Sequence, residues 1–191
     1  FYNLIKRKCN EWLESPECTI HELIQYIHSQ NKMRDAQIEA IEIYLFLKIA
    51  CHNKPLWELF YEGTFNSLNL NTMPLTIDER NALMSNKAAA ALLEYSQLKD
   101  KNGTQLAPGL EKLIKAQGTN INYKSVFKQI FYGVNYTDYL FSLPMGAGKT
   151  YLMAAFIYLD LYFAQNEPKN PAFSHNFLVL APSGLKSSII P

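Results

Sequence analysis

The chain has 191 residues, 48% of them hydrophobic, with 18 Lys and Arg against 17 Asp and Glu. That length and apolar content allow one good core and part of a second. The net charge of +1 excludes a global basic field, so any contact with nucleic acid has to come from a local patch. No run is long enough to cross a bilayer, because the most apolar stretch, 151–164, is interrupted by Asp160; no membrane is expected as a partner. The opening Phe1-Tyr2-Asn3-Leu4-Ile5-Lys6-Arg7-Lys8 lacks a secretory pattern. Cys9, Cys18 and Cys51 are odd in number and have no C-x-x-C spacing, which suits reduced thiols in a cytoplasmic protein.

Residues 1 to about 135 read as almost entirely helical. Leu4, Ile5, Cys9, Trp12 and Leu13 share one helical stripe, which Ser15-Pro16 ends. Thr19-Ile20-His21-Glu22 reads as a capping box opening a second helix with Leu23, Ile24 and Ile27 on its buried face. A third helix is expected over 34–52, with Ile38, Ile41, Leu45 and Ile49 at helical spacing. Pro55 opens a short helix carrying Leu56, Trp57, Leu59 and Phe60, and the Asn-rich 66–73 reads as a loop. Thr76-Ile77-Asp78-Glu79 is another capping box, 88–98 is a strong helix former, and Asn102-Gly103 and Pro108-Gly109 mark a turn region. Two further short helices are expected over 110–116 and 123–132.

The segment that carries chemistry is Leu143-Pro144-Met145-Gly146-Ala147-Gly148-Lys149-Thr150. The run 139–143 before it reads as a buried strand, and 151–164 after it as a core helix. A strand, a tight glycine turn and a helix present backbone N–H groups at a helix N-terminus, where they cradle polyphosphate. Lys149 would reach the β- and γ-phosphates and the Thr150 hydroxyl would hold Mg²⁺, which makes ATP with Mg²⁺ the expected ligand. The strict pattern has a glycine where this chain has Leu143.

Two other segments bear on the same chemistry. Arg34 and Gln37, three apart at the head of a helix, can face one ligand edge, and a Gln amide offers the donor and acceptor that adenine requires. The apolar run 177–181 reads as a second strand, followed by Pro182-Ser183-Gly184-Leu185-Lys186-Ser187-Ser188-Ile189, a serine-rich helix start suited to a nucleic-acid phosphate. Weaker signals are His21 and His28, which lack companions for a metal set, and Lys112, Lys115, Lys124 and Lys128, a modest basic group whose default is a solvated face.

Taken in order, Arg34-x-x-Gln37, Met145-Gly-Ala-Gly-Lys-Thr150 and Leu180-Ala-Pro-Ser-Gly-Leu-Lys-Ser-Ser-Ile189 resemble the opening motifs of superfamily 2 helicases and translocases. Pro182-Ser183-Gly184-Leu185-Lys186 looks most like the restriction subunit of type III restriction-modification enzymes. The resemblance implies a mostly helical N-terminal region followed by the first βαβ of a RecA-like parallel sheet. The divisions expected are a helical segment at 1–33, a Q-motif-like helix at 34–53, a helical insertion at 54–135 and the start of the ATPase domain at 136–191. It implies that Arg34, Gln37 and 145–150 bind ATP, with Lys149 and Thr150 catalytic in a larger parent protein of which this is the front part. Ser183, Gly184, Lys186 and Ser187 would touch a nucleic-acid backbone, double-stranded DNA favoured over RNA, in a complex that could include other restriction-type subunits. The acidic box that would position water is absent from these 191 residues, so the chain alone is expected not to hydrolyse ATP. The alternative is a nucleotide-gated scaffold whose loop switches partner binding.

Overall fold

The computed structural model describes residues 1–180 apart from 101, 106, 108, 118, 119 and 135. It divides into two compact units, one built from Phe1–Asn10 and Lys54–Tyr139, the other from Glu11–Asn53 and Leu140 onward. The first helix, α1 (Tyr2–Leu13), is divided between them in sequence.

The first unit contains α4 (Leu56–Tyr61), a single 3₁₀ turn at Leu70–Thr72, α5 (Ile77–Ser85), α6 (Lys87–Gln97), α7 (Leu110–Gln117) and α8 (Tyr123–Ile130). Side chains set where these helices start. Thr76 Oγ1 accepts the Glu79 N–H at 3.3 Å while the Glu79 carboxylate accepts the Thr76 N–H at 2.8 Å, and Asn86 and Asn122 cap α6 and α8 through their Oδ1 atoms. Helix α6 is the centre, packed against α4, α5, α7 and α8, with Leu92 and Leu93 fully buried. Phe1, Phe60, Tyr95 and Phe131 form an aromatic cluster in which Phe1 lies 4.9, 5.0 and 4.8 Å from the other three rings. Buried Glu94 accepts the Ser67 and Leu68 N–H groups at 2.8 and 3.2 Å, which fixes the loop after Phe65.

The second unit is built on α2 (His21–Ser29), α3 (Asp35–Ile49) and α9 (Lys149–Asn166). Helix α3 packs on both others. Gln37 touches Gly148 at the start of α9, Tyr44 stacks on Phe156 at 4.3 Å, and Lys48 meets Asp160 at 3.3 Å. Positions 37, 44 and 48 therefore advance along α3 as 148, 156 and 160 advance along α9, so the two helices run parallel.

Four expectations are corrected. Neither 139–143 nor the described part of 177–181 is a strand, and among the described residues no sheet exists; the one β-bridge joins Lys99 to Gln105. The βαβ unit and parallel sheet are therefore not present there. The expectation of a buried strand rests on a short run rich in aromatic and apolar residues, but Leu140 is 93% exposed and Phe141 packs on Tyr44 and Phe156. A ladder additionally requires a partner strand, which an apolar run alone cannot supply. Second, α2 starts one residue later than the Thr19 box implies: Ile20 is its N-cap and no side chain caps it. Third, α3 is buried on nearly every face rather than along one stripe, from Gln37 and Ile38 to Leu47 and Lys48. It ends at Ile49, where His52 and Asn53 turn left-handed at φ 52° and 54°. Fourth, α8 stops at Ile130 because Tyr132 is left-handed at φ 54° and the Gly133 N–H returns to the Lys128 carbonyl at 2.7 Å.

Candidate functional site

The loop 144–148 lies at the head of α9. Gly146 and Gly148 sit at φ +75° and +76°, a region where any other residue is strained, and the Ala147 N–H closes the turn on the Pro144 carbonyl at 3.3 Å. Beyond that bond the loop is open. Among the described residues the N–H groups of Gly146, Gly148, Lys149, Thr150 and Tyr151 donate to no acceptor; the first intrahelical bond runs from Leu152 N to Gly148 O at 3.1 Å. Orphan N–H groups and the positive end of an 18-residue helix are together the chemistry that an anion would meet here.

The side chains follow the same arrangement. Lys149 and Thr150 form the first turn of α9, are exposed, and have no partner among the described residues. Ala147 is buried, anchoring the loop, and Met145 is 98% exposed. Among the described residues no three His, Cys, Asp or Glu side chains gather to hold a metal ion. A Mg²⁺ here would have Thr150 Oγ1 as its protein ligand and take phosphate oxygens and water for the rest.

Arg34 and Gln37 reach this loop from α3. The Arg34 guanidinium donates to the Gly146 carbonyl at 2.5 Å. Gln37 is 4% exposed, and both ends of its amide are engaged: Oε1 accepts the Arg34 N–H at 2.9 Å and Nε2 donates to the Gly148 carbonyl at 3.1 Å. Both residues thus hold loop carbonyls, and the Gln37 amide is turned to the backbone rather than to an open adenine pocket. Ser183, Gly184, Lys186 and Ser187 lie outside the described residues.

A second buried group lies three turns down α9. Asp160, 2% exposed, accepts from the Tyr44 hydroxyl at 2.6 Å, from Lys48 Nζ at 3.3 Å and from the Ser174 N–H at 3.1 Å. Lys48 Nζ also donates to the Ala172 carbonyl at 2.6 Å and lies 5.4 and 5.8 Å from the Tyr44 and Phe173 ring centres. From the sequence, Asp160 reads as a break in an apolar run and as an acid in the wrong place to serve as the missing acidic box. The signal for the pair was the one interior charge of the otherwise apolar α9 and the one cation of α3, which sits beyond the apolar run 44–47.

The two histidines have ordinary partners, His21 Nε2 at 3.2 Å from the Ser15 carbonyl and His28 Nε2 at 2.9 Å from a Glu42 carboxylate oxygen. Cys9, Cys18 and Cys51 are buried and form no disulfide among the described residues. No helix among the described residues is long and apolar enough to cross a membrane. No family model, no curated protein and no solved structure matches this chain.

Proposed function

We propose that this chain binds the phosphates of Mg²⁺–ATP at 145–150 and is the nucleotide-binding part of an ATP-dependent DNA helicase or translocase of the restriction type, acting in the cytoplasm. The observation that carries the reading is the open loop: two left-handed glycines, five free N–H groups and an unpaired Lys149 and Thr150 at one helix head. Hydrogen bonds to charged acceptors contribute about 1.5–3 kcal/mol each, so this set suffices for a triphosphate. Lys149 neutralises charge on the β- and γ-phosphates, Thr150 holds the metal, and the N–H groups fix the chain of phosphates in line. Arg34 and Gln37 act through the loop, by holding the carbonyls of Gly146 and Gly148 away from the anion.

Turnover requires a carboxylate that positions water. Asp160, the single acidic residue in α9, is buried and bonded to Lys48 and Tyr44, so it is not available for that role. The chain alone therefore binds nucleotide without hydrolysing it. This same observation favours the second reading, a nucleotide-gated scaffold, over a self-sufficient ATPase.

The test is ATP hydrolysis by the full parent protein with and without duplex DNA, beside Lys149→Ala. DNA-stimulated turnover that disappears in the variant supports the motor. Turnover indifferent to DNA and RNA supports the scaffold, and near-normal turnover by Lys149→Ala refutes the phosphate loop.

A further inference from the structure

In the unit built from Phe1–Asn10 and Lys54–Tyr139, two lysines one turn apart on α8 lie over the same indole. Lys128 Nζ is 4.9 Å and Lys124 Nζ 5.8 Å from the centre of the Trp57 ring on α4. The Trp57 Nε1 is buried without an acceptor, so the polar edge of the indole is turned inward while the ring faces the two ammonium groups. Two cations on one ring repel each other, and a folded surface ordinarily relieves this with a carboxylate. Here the acids of α4 and its C-terminal end are taken: Glu58 and Glu62 both pair with Lys54, at 3.1 and 2.7 Å. On α7, Glu111 pairs with Lys115 at 2.9 Å. Among the described residues no carboxylate pairs with Lys124 or Lys128.

The charge of the whole chain hides this patch. The residues of this unit carry twelve Lys and Arg against eight Asp and Glu, a net +4, whereas those of the other unit carry six against nine, a net −3. A near-neutral sequence thus consists of a cationic part and an anionic part.

We infer that Lys124 and Lys128, held on Trp57, form a docking surface for a nucleic-acid backbone. Contact with the ring face leaves ammonium N–H groups free to donate to phosphate oxygens, and lysine binds phosphate as a point charge. Residues four apart on a helix place their Cβ atoms about 5–6 Å apart, so the two charges suit a polyanion with closely repeating charges rather than one isolated acid. The indole restricts both side chains before any ligand arrives, which lowers the entropy lost on binding. This surface stands on its own geometry and needs no nucleotide at the loop before α9.

The experiment uses the full 191-residue chain without ATP and follows the anisotropy of a fluorescein-labelled 20-base-pair duplex, its single strand and the matching RNA between about 50 and 200 mM salt. Engagement of one phosphate by each lysine predicts that Lys124→Gln/Lys128→Gln lowers the log–log salt slope for duplex by about 1.8, or by about 1.4 for single strand. Lys124→Arg/Lys128→Arg keeps the slope, and far-UV circular dichroism of the Gln pair matches the parent. With Trp12→Phe as background, the emission of Trp57, then the only tryptophan, changes on adding oligonucleotide. Absent binding, a salt slope unaffected by the Gln pair, or binding to phosphatidylserine-containing vesicles but to no oligonucleotide each overturns the proposal. Because every arm is nucleotide-free, failure here and failure of the phosphate loop are separable.

Discussion

Gly148→Ala probes the contact between the loop and α3 more sharply than any other substitution. The residue sits at φ +76°, where an L side chain costs about 1–2 kcal/mol. A Cβ there would also stand 2.6 Å from Gln37 Nε2, a distance that forces the amide to move. The amide is held at both ends, by Arg34 N and Gly148 O, so displacement gives up two hydrogen bonds of about 1 kcal/mol each. The single variant should therefore lose about 3–4 kcal/mol of stability. Gln37→Ala alone should lose about 2 kcal/mol, the same two bonds. In the double variant the bonds are already gone and the collision is absent, so the total stays at about 3–4 kcal/mol, a coupling of about 2 kcal/mol. Urea denaturation resolves this if the two units are observed separately. Trp12, 5.6 Å from Phe46, reports the unit that carries α3 once Trp57 is replaced by Phe. Additivity of the two single costs to within about 0.5 kcal/mol would refute the reasoning.

The buried pair gives a second prediction. Asp160→Ala strands Lys48, 7% exposed, and should cost about 3–5 kcal/mol, whereas Lys48→Met/Asp160→Leu should recover most of it; a loss below about 1 kcal/mol for Asp160→Ala would mean that the pair is solvated. A third concerns pH. The Thr76 N–H and hydroxyl hold the Glu79 carboxyl below its ordinary value of 4.5. Its contribution is complete above the unfolded-state value and is lost as pH falls through the lower folded-state value. Melting temperature followed from pH 7 downward should fall less steeply for Glu79→Gln than for the parent in that acid window, and identical curves would remove the capping box from the pH response.

The helices were legible where local chemistry decides them. Thr76 and Glu79 cap α5, and α7 begins at Leu110, because both follow from nearest-neighbour preferences visible in a few residues. The glycine turn before Lys149 was legible for the same reason: Gly-Ala-Gly adopts what only glycine adopts without strain. Sheet membership was not legible. Phe141 lies in an aromatic contact with Tyr44 and Phe156, a tertiary environment that satisfies the same pattern as a strand face. The partners of Gln37 were not legible either. A helix-head glutamine is compatible with solvent, a base or a carbonyl, and only the approach of Gly148 from a position 111 residues away selects among them. Lys48 and Asp160 lie a similar distance apart in sequence, 112 residues, so nothing local joins them.

Two parallel helices that are apolar over most of their surface have several side-by-side registers of similar packing energy, related by sliding one turn. The ion pair removes that degeneracy. A slip of α9 by one turn would set Lys48 opposite Phe156 or Phe163 in place of Asp160, leaving a buried charge without its counter-ion, at a cost of several kcal/mol. The pair thus works as an index mark: with 48 fixed against 160, the head of α9 can meet the head of α3 in one way, and Gln37 faces Gly148. The apolar double replacement would then recover most of the parent's stability yet lose this alignment. Under the proposed function, triphosphate binding that weakens by more than the residual loss of stability is the signature that separates indexing from simple packing.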